Sequence, residues 1–257
     1  MTGFADVARM EWIKLRTVRS TGWIAAIFAV AMIGGAILLS SSVGAPRNMS
    51  AADLASFDPT QQALAAGLVF VQLVAGLLGV LAVTTEYSSG MIRATLSAVP
   101  GRPLLLAGKA AVLAVVTLAA GEALAFAAFF IGEAVLYSGL PHASLGQPGV
   151  ARAVLMAGAY PGLIALTGLG LGAIIRNTAA AVSTIVGVLY VLPLAVVLLP
   201  HQQTIDSYMP MIIAQDSLAA VKPITDSLPS WQGLAMLCLY TAVALAAGCW
   251  TLARRDA

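Results

Sequence analysis

Two glutamates, Glu122 and Glu133, fall within and just beyond the apolar run 110–131. A carboxylate near the centre of a bilayer costs at least about 2.5–3.5 kcal/mol on insertion scales, so such groups turn towards an interior or a wet cavity. Their spacing is close to three helical turns, which puts both on one stripe of a helix. The matching triplets Gly121-Glu122-Ala123 and Gly132-Glu133-Ala134 mark the register. With Phe126 and Phe129 between them, the stripe has the chemistry of a path for a cationic or polar solute. A second reading makes Glu122 a protonated or hydrogen-bonded structural group. Glu133 then meets surface water or pairs with Arg152.

A second constellation occupies 84–102, between two apolar runs. It holds Glu86, Tyr87, Gly90, Met91, Arg93, Thr95, Leu96, Pro100 and Arg102, in a chain with only 9 % charged residues. On one continuous helix, Glu86 and Arg93 would show opposite charges on one face, two turns apart. Tyr87, Met91 and Leu96 would add apolar anchors, and Pro100 would end the helix. An aromatic flanked by charges makes a docking knob for a soluble partner. The plainer reading is a loop whose basic residues only set membrane orientation.

Catalytic chemistry finds no such constellation. The two histidines, His142 and His201, have no metal-ligand spacing around them. No serine has a histidine at membrane depth to activate it. The stretch from Gly101 to Gly108-Lys109 has six intervening residues, where a phosphate-binding loop has four, and lacks the Ser or Thr that holds magnesium. The chain is therefore read as neither an enzyme nor a nucleotide binder. Cys238 and Cys249 are roughly 16 Å apart along one helix, too far to bridge, and read as apolar filler.

The elements that carry these groups follow from composition. Apolar residues make up 60 % of the 257 positions, against roughly 45–50 % in soluble domains. They form six runs, 22–39, 63–83, 110–131, 154–175, 179–199 and 234–252, each long enough to cross a bilayer as a helix. No dyad alternation points to a barrel. The expected fold is all-α, a polytopic membrane protein forming a single domain over 1–257. The first run is longer than a signal-peptide core and reads as an uncleaved span.

Before it, residues 1–20 read as an amphipathic interfacial helix. Phe4, Val7, Ala8, Leu15 and Val18 fall on one face, with Arg9, Arg16 and Ser20 opposite and Glu11 interrupting the apolar side. A basic flank serving only topology is the alternative. Small residues in the fourth run, Gly158, Gly162, Gly168, Gly170 and Gly172, allow close helix approach, within the chain or at a dimer face, and Pro161 could kink the run. The polar stretch 40–62 is long enough to be partly ordered, and 200–231 is read as an extracellular connection carrying short helices.

Orientation follows the distribution of Lys and Arg. Ten of the thirteen fall on one side: Arg9, Lys14, Arg16, Arg19, Arg93, Arg102, Lys109, Arg176, Arg254 and Arg255. Arg47, Arg152 and Lys222 fall on the other. Both termini are therefore expected in the cytoplasm. The basic residues hug helix ends, where they snorkel to lipid headgroups, so a nucleic-acid partner is not expected.

Over its whole length the chain resembles the permease subunits of bacterial type-2 ATP-binding-cassette exporters. The resemblance rests on Glu11-Trp12-x-Lys14-x-x-x-x-Arg19, on the six spans, and on Glu86-Tyr87-x-x-Gly90-x-x-Arg93-x-Thr95-Leu96 followed by Pro100 and Arg102. It implies that 84–102 is a coupling region seated in a separate ATPase subunit. ATP and magnesium would bind that partner and not this chain. It further implies a second permease copy or a paralogue, residence in the bacterial cytoplasmic membrane, and export of a hydrophobic or amphipathic substrate such as a drug, antibiotic or lipid. Two rival expectations are a proton-coupled secondary transporter using Glu122, and a non-transporting membrane sensor or scaffold.

Overall fold

Long apolar runs leave backbone polar groups no partner in lipid but one another, and the chain satisfies them within helices. The computed structural model describes residues 3–17, 19–44, 49–99, 101–196, 198, 205–221 and 228–254, and no strand occurs among them. In chain order the helices are α1 (Phe4–Thr17), α2 (Arg19–Ser42), α3 (Ala51–Ser56), α4 (Pro59–Ser88), α5 (Met91–Ala98), α6 (Arg102–Val135), α7 (Val150–Ile175), α8 (Thr178–Val186), a π turn (Gly187–Val191), α9 (Leu192–Val196), α10 (Pro210–Leu218) and α11 (Ser230–Arg254). Among the described residues, six stretches are long and apolar enough to span a membrane: Gly22–Ser42, Pro59–Ser88, Arg102–Val135, Val150–Ile175, Thr178–Val196 and Ser230–Arg254. This is a helical membrane protein. Pro100, His201, Arg47, Lys222 and Arg255, all used in the sequence argument, lie outside the described residues.

The fourth span, α7, is the axis of the bundle and packs on α4, α6, α11, α10 and α8. Its glycines let it do so. A Cβ built on Gly79 of α4 would lie 1.8 Å from the carbonyl oxygen of Ala165, and one on Gly168 would lie 2.4 Å from that of Gly76. On the α6 side, a Cβ on Gly121 would lie 2.3 Å from the carbonyl oxygen of Gly158. The small-residue pattern of this span is thus used in packing within the chain. α7 continues through Pro161 as one helix.

Helix ends follow local chemistry. Ser50 and Asp53 form a reciprocal capping box on α3, a short helix within the stretch 40–62. Asp58 caps α4 ahead of Pro59, its Oδ1 accepting from the amide of Gln61 at 3.1 Å. Its Oδ2 accepts from the amides of Ala220 at 2.6 Å and Val221 at 2.9 Å, so one side chain ties α4 to the segment after α10. Arg152 donates to the carbonyl of Ala219 at 2.9 Å in the same neighbourhood. Within 200–231 the structure places α10.

Asp216, on α10, is half-buried, and burial pushes its carboxyl up to about 6 from the ordinary 3.8. The folded chain therefore holds a proton that the unfolded chain has released across this window. Its contribution is complete below 3.8 and is lost as pH rises through about 6. Asp216→Asn should flatten the pH dependence of the thermal midpoint over this window. Midpoints of the detergent-solubilised protein at the two ends of the window check this, and an unchanged slope would refute it.

Candidate functional site

The charged residues that sequence reasoning left scattered meet at one end of the bundle. α1 contributes Glu11 and Lys14, α4 contributes Glu86 two residues before its end, and α6 contributes Lys109 two turns after its start. The Lys109 ammonium lies 2.9 Å from Glu11 Oε2 and 2.6 Å from Glu86 Oε1. Lys14 lies 2.9 Å from Glu11 Oε1 and 2.8 Å from the same Glu86 Oε1. A longer contact joins Lys109 to the carbonyl of Ala82 at 3.4 Å. The Lys109 side chain is 2 % exposed, Glu86 7 % and Glu11 10 %, whereas Lys14 is 31 % exposed. The quartet is therefore a buried, charge-balanced clasp with one partly wet corner.

The local electrostatics explain why it needs four members. Glu86 sits in the last turn of α4, where the helix dipole disfavours a carboxylate, and two ammonium groups offset that. Burial alone would lower the pKa of Lys14. The hydrogen bonds and charges of Glu86 and Glu11 outweigh it and raise the group above its ordinary 10.5. The ammonium thus stabilises the fold fully below pH 10.5 and loses that contribution only above it.

An apolar patch backs the clasp. Val7 of α1, Ile92 and Val99 of the α5 region and Leu105 of α6 are buried together, with Met10, Tyr87, Leu96 and Leu104 against them. A Cβ on Gly108 would lie 2.5 Å from Val7 Cγ1, so α1 lies directly on α6 at this glycine. Glu11, which breaks the apolar face of α1, does so because it points at Lys109.

The docking residues read from sequence sort into three groups. Gly90, Met91 and Arg93 are exposed; Tyr87, Leu96 and Arg102 are half-buried; Glu86 and Thr95 are buried. One continuous helix through 86–96 does not form. α4 ends at Ser88, Gly90 takes a left-handed φ of 71°, and α5 starts afresh at Met91. Glu86 and Arg93 therefore share no helix face. Glu86 anchors the segment from inside, while Met91 and Arg93 stand on the free side of α5. Tyr87 lies under the guanidinium of Arg176, 5.3 Å from ring centroid to Cζ.

Two arginines then hold the last span. Arg102 donates to the carbonyl of Leu252 at 3.1 Å, and Arg176 to that of Thr251 at 3.0 Å. Both carbonyls belong to the final turn of α11, where they lack helical donors and attract cations. Arg254 stacks 4.6 Å from the Trp250 ring. The structure thus gathers α1, α5 and the ends of α4, α6, α7 and α11 at one pole, with Lys14, Arg93, Arg102, Lys109, Arg176 and Arg254 among them.

The four residues proposed for a path are less unified. Glu122 is half-buried against Gly158 of α7, whose missing side chain makes room for it, and its Oε2 has no hydrogen-bond partner among the described residues. Phe126 is half-buried, and Phe129 is buried edge-on to Phe130 at 5.4 Å. Glu133 does not pair with Arg152. It accepts from the amide of Ala143 at 3.1 Å and meets His142 Nδ1 at 3.0 Å, holding the turn after α6.

Sequence reasoning passed over a polar knot inside the membrane region. Gln72, fully buried in α4, accepts from the Tyr160 hydroxyl at 2.6 Å and lies 3.5 Å from Met211 Sδ. Tyr190, in the π turn, donates to the carbonyl of Val69. A glutamine amid the apolar run 63–83 was the available signal, since an amide in lipid must find a partner. Lys109 just before a run and Glu11 on an apolar face were a matching signal of opposite sign. No group of His, Cys, Asp and Glu able to hold a metal ion occurs among the described residues. Comparison of the sequence with protein-family models and with curated proteins gives no match.

Proposed function

We propose that this chain is the membrane-spanning subunit of an ATP-binding-cassette exporter of the type-2 class. It takes force from a separate ATPase and moves a hydrophobic or amphipathic substrate out across the bacterial cytoplasmic membrane, with both termini cytoplasmic. The observation that carries the reading is α5. It is a short helix with a free face at the basic end of the bundle, on a base where α1, α4 and α6 are clasped by Glu11, Lys14, Glu86 and Lys109. A docking element transmits force only if its base does not yield, and a buried ionic clasp backed by Val7, Ile92, Val99 and Leu105 supplies such a base. ATP closure of the partner would push α5 and, through the clasp, tilt α1, α4 and α6 together. A second copy or a paralogue would complete the path.

The test is purification of the chain from native membranes in mild detergent, with associated ATP hydrolysis measured. The Arg93→Glu variant should insert normally. Its co-purifying hydrolysis should fall about tenfold, the effect of losing one interfacial contact of roughly 1.4 kcal/mol. Undiminished hydrolysis with Arg93→Glu would remove α5 from the interface. Absence of any ATPase from the wild-type complex would overturn the whole reading. That second outcome would favour a proton-coupled transporter, for which the unpartnered Oε2 of Glu122 is the pertinent feature; Glu122→Gln should then abolish uptake driven by a pH gradient.

A further inference from the structure

Pro193 stands inside the fifth span, and its effect is felt one turn earlier. Proline has no amide hydrogen, and in a regular helix its ring meets the carbonyl four residues back, here Leu189. One residue ahead of it, Gly187–Val191 relax into a π turn, a wider loop than the α-helix and one that recurs at functional sites. Beside that turn lies a cavity of about 230 Å³. One wall is Ile185, Val188, Leu189 and Leu192; Leu163, Ile164 and Thr167 of α7 and Leu237 and Thr241 of α11 form the others. Tyr208, Met209, Pro210 and Tyr240 stand at the α10 side.

Three of the four hydroxyls that line the cavity, those of Thr167, Tyr240 and Thr241, already donate within the protein, and the fourth, of Tyr208, stands at the exposed α10 side. Thr167 donates to the carbonyl of Leu163 at 2.9 Å, and Thr241 donates to that of Leu237 at 2.9 Å. The two threonine oxygens are 3.1 Å apart. The Tyr240 hydroxyl is turned to the carbonyl of Tyr208 at 3.0 Å. Away from Tyr208, what remains for a guest is almost wholly carbon. A polar guest would lose its water and find few hydrogen bonds in return, whereas hydrocarbon loses nothing.

We propose that this cavity binds one acyl chain of a membrane phospholipid. Apolar cavities of about 150 Å³ already hold a benzene-sized guest and exclude water, and this one is half as large again. Left empty, its walls would forfeit dispersion contacts on every side. Its walls belong to membrane-spanning helices, and Val191, Leu192 and Leu194 beside it are exposed at 59 %, 44 % and 71 %. Acyl chains are the medium those residues meet. Tyr208, exposed beside the short α10, is the aromatic type that sits at headgroup level. The assignment needs the chain only to lie in a bilayer and stands apart from the ATPase reading.

The experiment reconstitutes the full chain in phosphatidylcholine vesicles doped with a phosphatidylcholine that carries a diazirine midway along one acyl chain. After photolysis, adducts are mapped by peptide mass spectrometry. Adducts on Leu163, Ile164, Ile185, Leu189 or Leu237 are expected, and Leu189→Trp, which fills the cavity, should abolish them while labelling of exposed Leu194 persists. Leu237→Phe serves the same purpose from the opposite wall should the first variant fail to insert. Adducts confined to Val191, Leu194 and other exposed positions would overturn the proposal on the wild-type map alone. So would cavity adducts that survive filling. Loss of the cavity adducts to a small apolar competitor, with no loss when unlabelled lipid is raised, would assign the space to a different class of guest and also overturn it.

Discussion

Replacing Lys109 with methionine should lower the stability of the folded protein by about 3–5 kcal/mol, the range for removing one member of a buried ionic set. Methionine keeps the length and apolar stem of lysine, so the loss is chiefly of charge. Glu11 and Glu86 would then face each other with only Lys14 between them, and both carboxylates are shielded from water. Lys14→Met should cost less, about 1 kcal/mol, because its partly exposed ammonium is already shared with solvent. The double variant Lys109→Met, Glu86→Met removes one charge of each sign and should recover much of the loss, since buried ion pairs replaced by apolar groups are often neutral or better. Thermal unfolding in detergent measures all three. A Lys109→Met variant within about 1 kcal/mol of wild type would show that the clasp is not a structural bond at all. The double variant also separates two roles. On the proposed exporter reading, a clasp that only holds α1 in place should leave ATP-linked activity intact once stability returns, and one that transmits force should leave the variant stable but uncoupled.

Gly79→Ala should destabilise at the upper end of the about 1–3 kcal/mol range for overpacking, despite adding a single methyl group. That methyl would lie 1.8 Å from the carbonyl oxygen of Ala165, a backbone atom that cannot rotate away. α4 and α7 would have to separate along their shared face, which holds Gly76, Val80 and Gly168 as well. Gly34→Ala in α2 is the control. An added Cβ there meets nothing within 4 Å, and alanine favours helix over glycine by about 1 kcal/mol, so the control should be neutral or stabilising. Yield of monodisperse protein and the thermal midpoint decide the comparison. Equal behaviour of the two variants would mean that α4 and α7 do not approach as closely as described.

The six spans were legible because an apolar run of membrane length admits few structures. Their limits were less so. The second run, read as 63–83, lies in a helix from Pro59 to Ser88, and the third, read as 110–131, in one from Arg102 to Val135. Hydropathy stops counting at the first charge, while the hydrogen-bond ladder continues through Glu86 or Lys109 when a partner neutralises it. Those partners lie far along the chain, with Glu11 98 positions from Lys109 and Lys14 72 from Glu86. No local window contains both members, which is why Glu86 read as a charge offered to the outside. The break at Gly90 had a local signal, since glycine is the residue that takes a left-handed φ without strain. The helical spacing of Glu86 and Arg93 drew attention away from it. Pro193 was similarly swallowed by the apolar content of its run, although proline is the residue that most reliably disturbs a helix interior.

The separation of Glu11 from Lys109 has a bearing on how the protein is made. A ribosome working at about 5–20 residues per second needs roughly 5–20 seconds to travel from one to the other. Throughout that interval α1 has been synthesised with Glu11 answered only by Lys14 of the same helix, and Lys109 does not yet exist. α1 can therefore take its final seat against α6 only after the third span has been made, which places the closing of the four-membered clasp late in biogenesis.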